Sequence, residues 1–191
     1  MNNLNYNFDS KEEEYFYYWL EELKNQGYIE WIFPHQKTYI VMDAVVKHRP
    51  KSFNLTRKRK YTPDFIFKFN NKARGIFYYD EEEGYKNRPF LFCNNNRGIM
   101  YVDIKGSFTR NLSSSVTFPD RQSIMLNRYN IYVQKTIPYD VTNRKKNTLF
   151  AKTFTPDVMI KREVYKKTIK NKWNKGDSKL KYKVTKLDKF I

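Results

Sequence analysis

The sequence predicts an α/β fold: a mixed central sheet flanked by helices, with a hairpin insertion and a basic C-terminal extension. Three observations carry this reading. A capped amphipathic helix comes first, short aromatic and β-branched runs follow it, and a second helical stretch separates the last two of those runs. That order of helix, strands, helix and strand is the order of a sheet half-covered by helices. The chain has 191 residues, enough for one domain with a core, and 15 Phe and 16 Tyr supply the bulk to fill it. The expected division is a core over residues 1–140 and an extension over 141–191.

Ser10-Lys11-Glu12-Glu13 forms a capping box, a Ser with Glu three residues on, ahead of an apolar run. The helix is expected from Lys11 to Asn25. Phe16, Trp19, Leu20 and Leu23 recur at spacings of three and four, as one buried face requires, and Gln26-Gly27 ends it. Ile29-Glu30-Trp31-Ile32-Phe33 and Lys37-Thr38-Tyr39-Ile40-Val41-Met42 read as strands around Pro34-His35-Gln36. Residues 46–60 read as a basic loop with His48, Arg49, Lys51, Arg57, Lys58, Arg59 and Lys60. It leads into Tyr61-Thr62-Pro63-Asp64-Phe65. Pro63 cannot donate to a ladder and so suits the first residue of a strand, and Phe65-Ile66-Phe67-Lys68-Phe69 has strand composition.

Residues 70–97 read as an insertion. Gly75-Ile76-Phe77-Tyr78-Tyr79 and Pro89-Phe90-Leu91-Phe92 form an aromatic hairpin arm around Asp80-Glu81-Glu82-Glu83-Gly84, whose adjacent acids do not converge on one point and read as a solvated turn. A strand over 98–105, a polar loop over 107–117 with Arg110, a helix over 119–129 and a strand over 131–137 follow. In Thr155-Pro156-Asp157, Thr as N-cap and Pro at the first helical position spell a helix start, so residues 155–172 read as a basic helix. Residues 161–189 are dense in Lys, with Trp173 and Tyr182 interleaved.

Charge bounds the function. Lys and Arg number 37 against 20 Asp and Glu, a formal net charge of +17, and a chain so basic usually meets a polyanion. The single cysteine, Cys93, excludes an internal disulfide framework, and one Cys with two His offers no zinc spacing. No apolar run reaches transmembrane length and the first ten residues lack an apolar signal region, so a cytoplasmic setting is expected, with no membrane partner.

The chemistry centres on Asp103-Ile104-Lys105. Residues i and i+2 of a strand share a face, so Asp103 and Lys105 point one way and Ile104 into the core. Gly106 then breaks the ladder, and a carboxylate and an ammonium stand side by side at a strand end. Asp64, at the start of an earlier strand, supplies a second carboxylate. Mg²⁺ is usually held by one or two carboxylates plus water and substrate phosphate, and a positioned lysine can orient or deprotonate an attacking water. Glu13 shares the core-facing side of the first helix with Phe16 and Leu20, an unusual place for an acid. Its ordinary role is to close the capping box, and Glu14 is the alternative acid there.

In their order, Ser10…Glu13, Leu20, Gly27-Tyr28-Ile29, Gln36, Tyr61-Thr62-Pro63-Asp64-Phe65 and Val102-Asp103-Ile104-Lys105-Gly106 resemble the phage-type endonucleases of the PD-(D/E)xK superfamily. These include Holliday-junction-resolvase-like proteins and the nuclease subunit of Tn7-like transposases. The resemblance covers roughly residues 10–137. It implies a restriction-endonuclease-like core, with Glu13, Asp64, Asp103 and Lys105 as catalytic residues. It also implies that Asp64, Asp103, Glu13 and the Ile104 carbonyl bind metal, with Mg²⁺ as cofactor, Mn²⁺ as its substitute and no small-molecule cofactor. Some exonuclease relatives carry Gln-x-x-x-Tyr on the following helix. Here Gln122 is followed four later by Leu126, which argues against that branch. The expected partner is DNA, its backbone contacted by Arg49, Lys51, Arg57, Lys58, Arg59, Lys60 and Arg110, and a branched substrate would favour a symmetric homodimer. Two rival readings keep the charge argument and drop the metal: a non-catalytic, architectural DNA-binding protein and an RNA-binding protein.

Overall fold

The computed structural model describes residues 6–48, 50–79, 90–91, 98–106, 117–139, 148–161 and 184–191. Helix α1, Lys11–Asn25, starts at the capping box: the Glu13 amide donates to Ser10 Oγ at 3.2 Å, and the Ser10 hydroxyl donates to Glu13 Oε1 at 3.0 Å. Phe16, Trp19, Leu20 and Leu23 are fully buried. Gly27, at φ +74°, turns the chain into the first strand.

Ten strands follow in chain order: β1 (Ile29–Pro34), β2 (Tyr39–Met42), β3 (Val45–Lys47), β4 (Phe53–Thr56), β5 (Arg59–Tyr61), β6 (Phe65–Phe69), β7 (Tyr78–Tyr79), β8 (Phe90–Leu91), β9 (Ile99–Ile104) and β10 (Val133–Thr136). Helix α2, Phe118–Tyr129, lies between β9 and β10. Two short helices, α3 (Leu149–Lys152) and α4 (Asp157–Lys161), come after β10. The central sheet has the order β1-β6-β9-β10. β1/β6 and β6/β9 are antiparallel and β9/β10 is parallel, so the sheet is mixed and the fold α/β.

Strand alternation divides the molecule into two cores. Met100, Val102 and Ile104 of β9 and Phe65, Phe67 and Phe69 of β6 join α1 in the larger one. Tyr101 and Val133 face the other way, into a smaller core with Phe118 and Met125 of α2 and with Tyr39, Val41 and Tyr61 of the β2/β5 pair. The described parts of 141–191 contribute to the larger core through Leu149, Phe150, Phe154, Met159 and Leu187. The Trp19 indole N–H donates to Thr153 Oγ1 at 3.2 Å within it. No helix among the described residues is long and apolar enough to cross a membrane.

Three expectations are corrected. The insertion does not form a hairpin: β7 and β8 pair in parallel, Tyr78 with Phe90. Phe77 and Phe90 are fully buried against Trp19, so burying these aromatics in the larger core decides the pairing. The acidic run at 80–84 lies outside the described residues. The basic loop of 46–60 is instead largely a two-stranded hairpin, β3 with β4, in which β-branched and aromatic Val45, Val46 and Phe53 outweigh the charges between them. The start of α4 is capped by another helix rather than by Thr155: the Asp157 amide donates to Glu22 Oε2 at 2.8 Å, while the buried Thr155 hydroxyl has no partner. Only residues 157–161 of the basic helix expected over 155–172 are described as helical, and residues 162–183, with Trp173 and Tyr182, lie outside the described residues.

Candidate active site

Register builds the site. Phe65 pairs with Val102 in the antiparallel β6/β9 ladder, so Asp64, one residue earlier, stands opposite Asp103, one residue later. The Ile104 amide donates to Asp64 Oδ2 at 2.6 Å, and the His35 amide donates to the Asp64 carbonyl at 3.0 Å. Together they fix a residue that no strand contains. Asp103 is 4 % exposed, and Lys105 Nζ contacts its Oδ2. The Lys105 amide continues the parallel ladder to the Thr136 carbonyl at 2.9 Å. That one extra rung keeps Asp103 and Lys105 on one face, as strand alternation requires.

The electrostatics are those of like charges brought together and partly desolvated. Burial first, then the charge of Asp103, push the Asp64 carboxyl up to about 7, against the pull of the Ile104 amide and Lys105; Glu13 adds a smaller push. Tyr61, 4 % exposed, lies on the same face. Burial, and then the charges of Asp103 and Asp64, raise its phenol well above the ordinary range. The hydroxyl is directed towards Asp103 without completing a hydrogen bond of good geometry.

Glu13 belongs to a neighbouring group. It sits on α1, which covers the opposite face of the sheet from Asp64 and Asp103, and is 6 % exposed. Its Oε2 accepts from the Asp9 amide at 3.2 Å and lies 3.2 Å from His35 Nε2. One ligand atom each from Asp9, Glu13 and His35 lie within 4.8 Å of one another. His35 gets there through a left-handed backbone, φ +46°, at the end of β1. The arrangement therefore brings Asp64, Asp103, Ile104 and Lys105 together, with Glu13 within electrostatic reach and committed to its cap and to His35.

Asp64 and Asp103 offer oxygen donors alone, the set that suits a hard divalent cation, and a cation would offset the desolvation and the repulsion that raise the Asp64 carboxyl. Of the residues expected to contact DNA, Lys51 in the β3–β4 turn, Arg57 and Lys58 between β4 and β5, and Arg59 and Lys60 on β5, the strand that leads into Asp64, are exposed; Arg49 and Arg110 lie outside the described residues. Asp9 and Arg121 gave no signal in the sequence. Arg121, in the first turn of α2, lies over the Tyr61 ring, with its guanidinium carbon 5.7 Å from the centroid. The one available clue to His35 was its place between Pro34 and Gln36, in the turn between two strand runs. No family model, curated protein or solved structure matches the chain.

Proposed function

We propose that this chain is a Mg²⁺-dependent DNA endonuclease that hydrolyses phosphodiester bonds, of the PD-(D/E)xK kind that its motifs resemble, with branched DNA as a candidate substrate. One observation carries the reading. A buried carboxylate, Asp103, and a half-buried one, Asp64, oppose each other at adjoining strand ends beside Lys105, and desolvation followed by the charge of Asp103 raises the Asp64 carboxyl to about 7. A purely structural pair has little reason to be built at that expense.

In this reading Asp64 and Asp103 would hold the metal, and the Ile104 carbonyl would be a further donor. A bound Mg²⁺ supplies Lewis-acid stabilisation of charge on the phosphate and a more acidic water. Lys105, steadied by Asp103, orients or deprotonates the water that attacks in line. Glu13 acts at longer range, on a second ion or its waters. The basic residues of β5 and the hairpin hold the backbone, a contact without sequence information. The rival is a non-catalytic DNA-binding protein. It is favoured by the fact that Asp64 and Lys105 already have protein partners, the Ile104 amide and Asp103.

The test is incubation with supercoiled plasmid and with a four-way junction under Mg²⁺, Mn²⁺ or EDTA, beside Asp103→Asn and Lys105→Ala. Metal-dependent cutting by the wild type, reduced by about a hundredfold or more in both variants, is the expected result. If all three proteins bind DNA equally and none cuts with either metal, the catalytic reading fails.

A further inference from the structure

We propose that Arg121 is a phosphate-binding residue of this site, propped on the Tyr61 ring and set to take a backbone phosphate oxygen beside the Asp64–Asp103 pair. The identity of the polyanion rests on the nuclease reading above; the geometry does not.

Tyr61 links two halves of opposite charge. It is held in β5, paired with Tyr39 of β2, and its 4 % exposure leaves it little freedom. The charges that act on it are Asp103 and Asp64 on one side and Arg121 on the other. Its buried hydroxyl is directed towards Asp103 without completing a hydrogen bond of good geometry, which ties the ring to the carboxylate side of the site. The ring face carries Arg121.

Arg121 is available where Lys105 of the site and Arg128 of α2 are not. Lys105 is engaged by Asp103. Arg128, at the other end of α2, donates to Asp43 Oδ2 at 2.7 Å. Among the described residues no carboxylate pairs with Arg121, although its side chain is half-buried. A guanidinium stacked on an aromatic face is pre-organised and presents a planar fork that matches two phosphate oxygens. Its position in the first turn of α2 adds the positive end of a 12-residue helix, which favours the same ligand. A carboxylate-rich metal site repels the DNA backbone, and a fixed cation one side chain away offsets that repulsion.

The experiment uses the full chain, with Arg121→Ala, Arg121→Lys and a control, Arg128→Ala. Binding to a short DNA duplex is followed by fluorescence anisotropy across a salt series in Ca²⁺, and single-turnover cleavage is followed in Mg²⁺. Arg121→Ala is expected to weaken binding and to reduce the salt slope by about one, with Arg121→Lys recovering part of the loss and Arg128→Ala leaving the slope unchanged. Should Ala loosen α2 in a thermal melt, Arg121→Gln, which keeps a planar head over the ring, carries the same readouts. An unchanged affinity and slope in Arg121→Ala, or an equal fall in Arg128→Ala, overturns the proposal. If the wild type cuts with no metal yet Arg121→Ala still lowers the slope, the nuclease reading falls and the phosphate site stands. If the wild type cuts and Arg121→Ala binds and cuts as well as it does, the phosphate site alone falls.

Discussion

Asp64 sets the pH behaviour of the site. Its carboxyl is raised from 3.8 to about 7 in the fold, so between these values the native state binds more protons than the unfolded one. Linkage then makes the Asp64 contribution to stability fall as pH rises through that window. The Asp64→Asn variant removes the titration without removing the amide's partner atom. Measured by thermal melting in EDTA, the stability of Asp64→Asn relative to wild type should therefore grow from pH about 4 to pH about 7, by roughly 2–4 kcal/mol. Millimolar Mg²⁺ should shrink the difference by stabilising the ionised wild-type carboxylate. A difference that is flat with pH would mean that the carboxyl is not strained by its neighbours. The residues of this site differ in how plainly the sequence announced them. Asp103 and Lys105 were legible because a two-residue period puts both on one face of any strand. Glu13 was legible as an acid on a buried helix face, but its partners were not: a left-handed turn aims His35, and no local pattern encodes that.

Among the elements, β6 was legible to the residue because every position favours a pleated, buried strand and Pro63 marks its start. The partners of β7, and the hairpin within the basic stretch, were not. The pairing of β7 follows from which aromatics the core can bury, and that depends on Trp19 and Phe69, far away in sequence, whereas the exposed β3/β4 hairpin pairs through its own β-branched and aromatic residues. The β6/β9 register that brings Asp64 opposite Asp103 begins at Gly98. The Phe69 amide donates to the Gly98 carbonyl at 3.0 Å. Gly98 has φ +80°, and a Cβ there would come within 2.9 Å of the Phe69 carbonyl oxygen. Neither the backbone angle nor the contact tolerates a side chain. Gly98→Ala should therefore cost about 1–3 kcal/mol, read as a lower urea midpoint at unchanged m. An unaltered midpoint would show that the start of β9 shifts freely and that the register is held elsewhere.

At the scale of the whole molecule, a net charge of +17 makes the proposed association with DNA an electrostatic matter, and the question is which cations take part. Phosphate neutralisation releases counterions, so the slope of log affinity against log salt counts the contacts. Lys51, Arg57, Lys58, Arg59 and Lys60 are all exposed, and none has an ion-pair partner among the described residues. Replacing the five with Gln should therefore leave the melting temperature nearly unchanged, since none is buried in either core, while reducing the salt slope for duplex binding by about two to four. The hairpin that carries Lys51 also exposes Val45, Val46, Phe53 and Leu55, at 40–58 %. Apolar side chains held out beside cations suit an arm laid along a groove better than a surface meeting water alone. A slope that survives all five substitutions would move the binding surface elsewhere, with the lysine-dense 161–189 stretch as the next place to neutralise. A slope that falls while metal-dependent cutting of a saturating substrate persists would separate holding the backbone from cutting it.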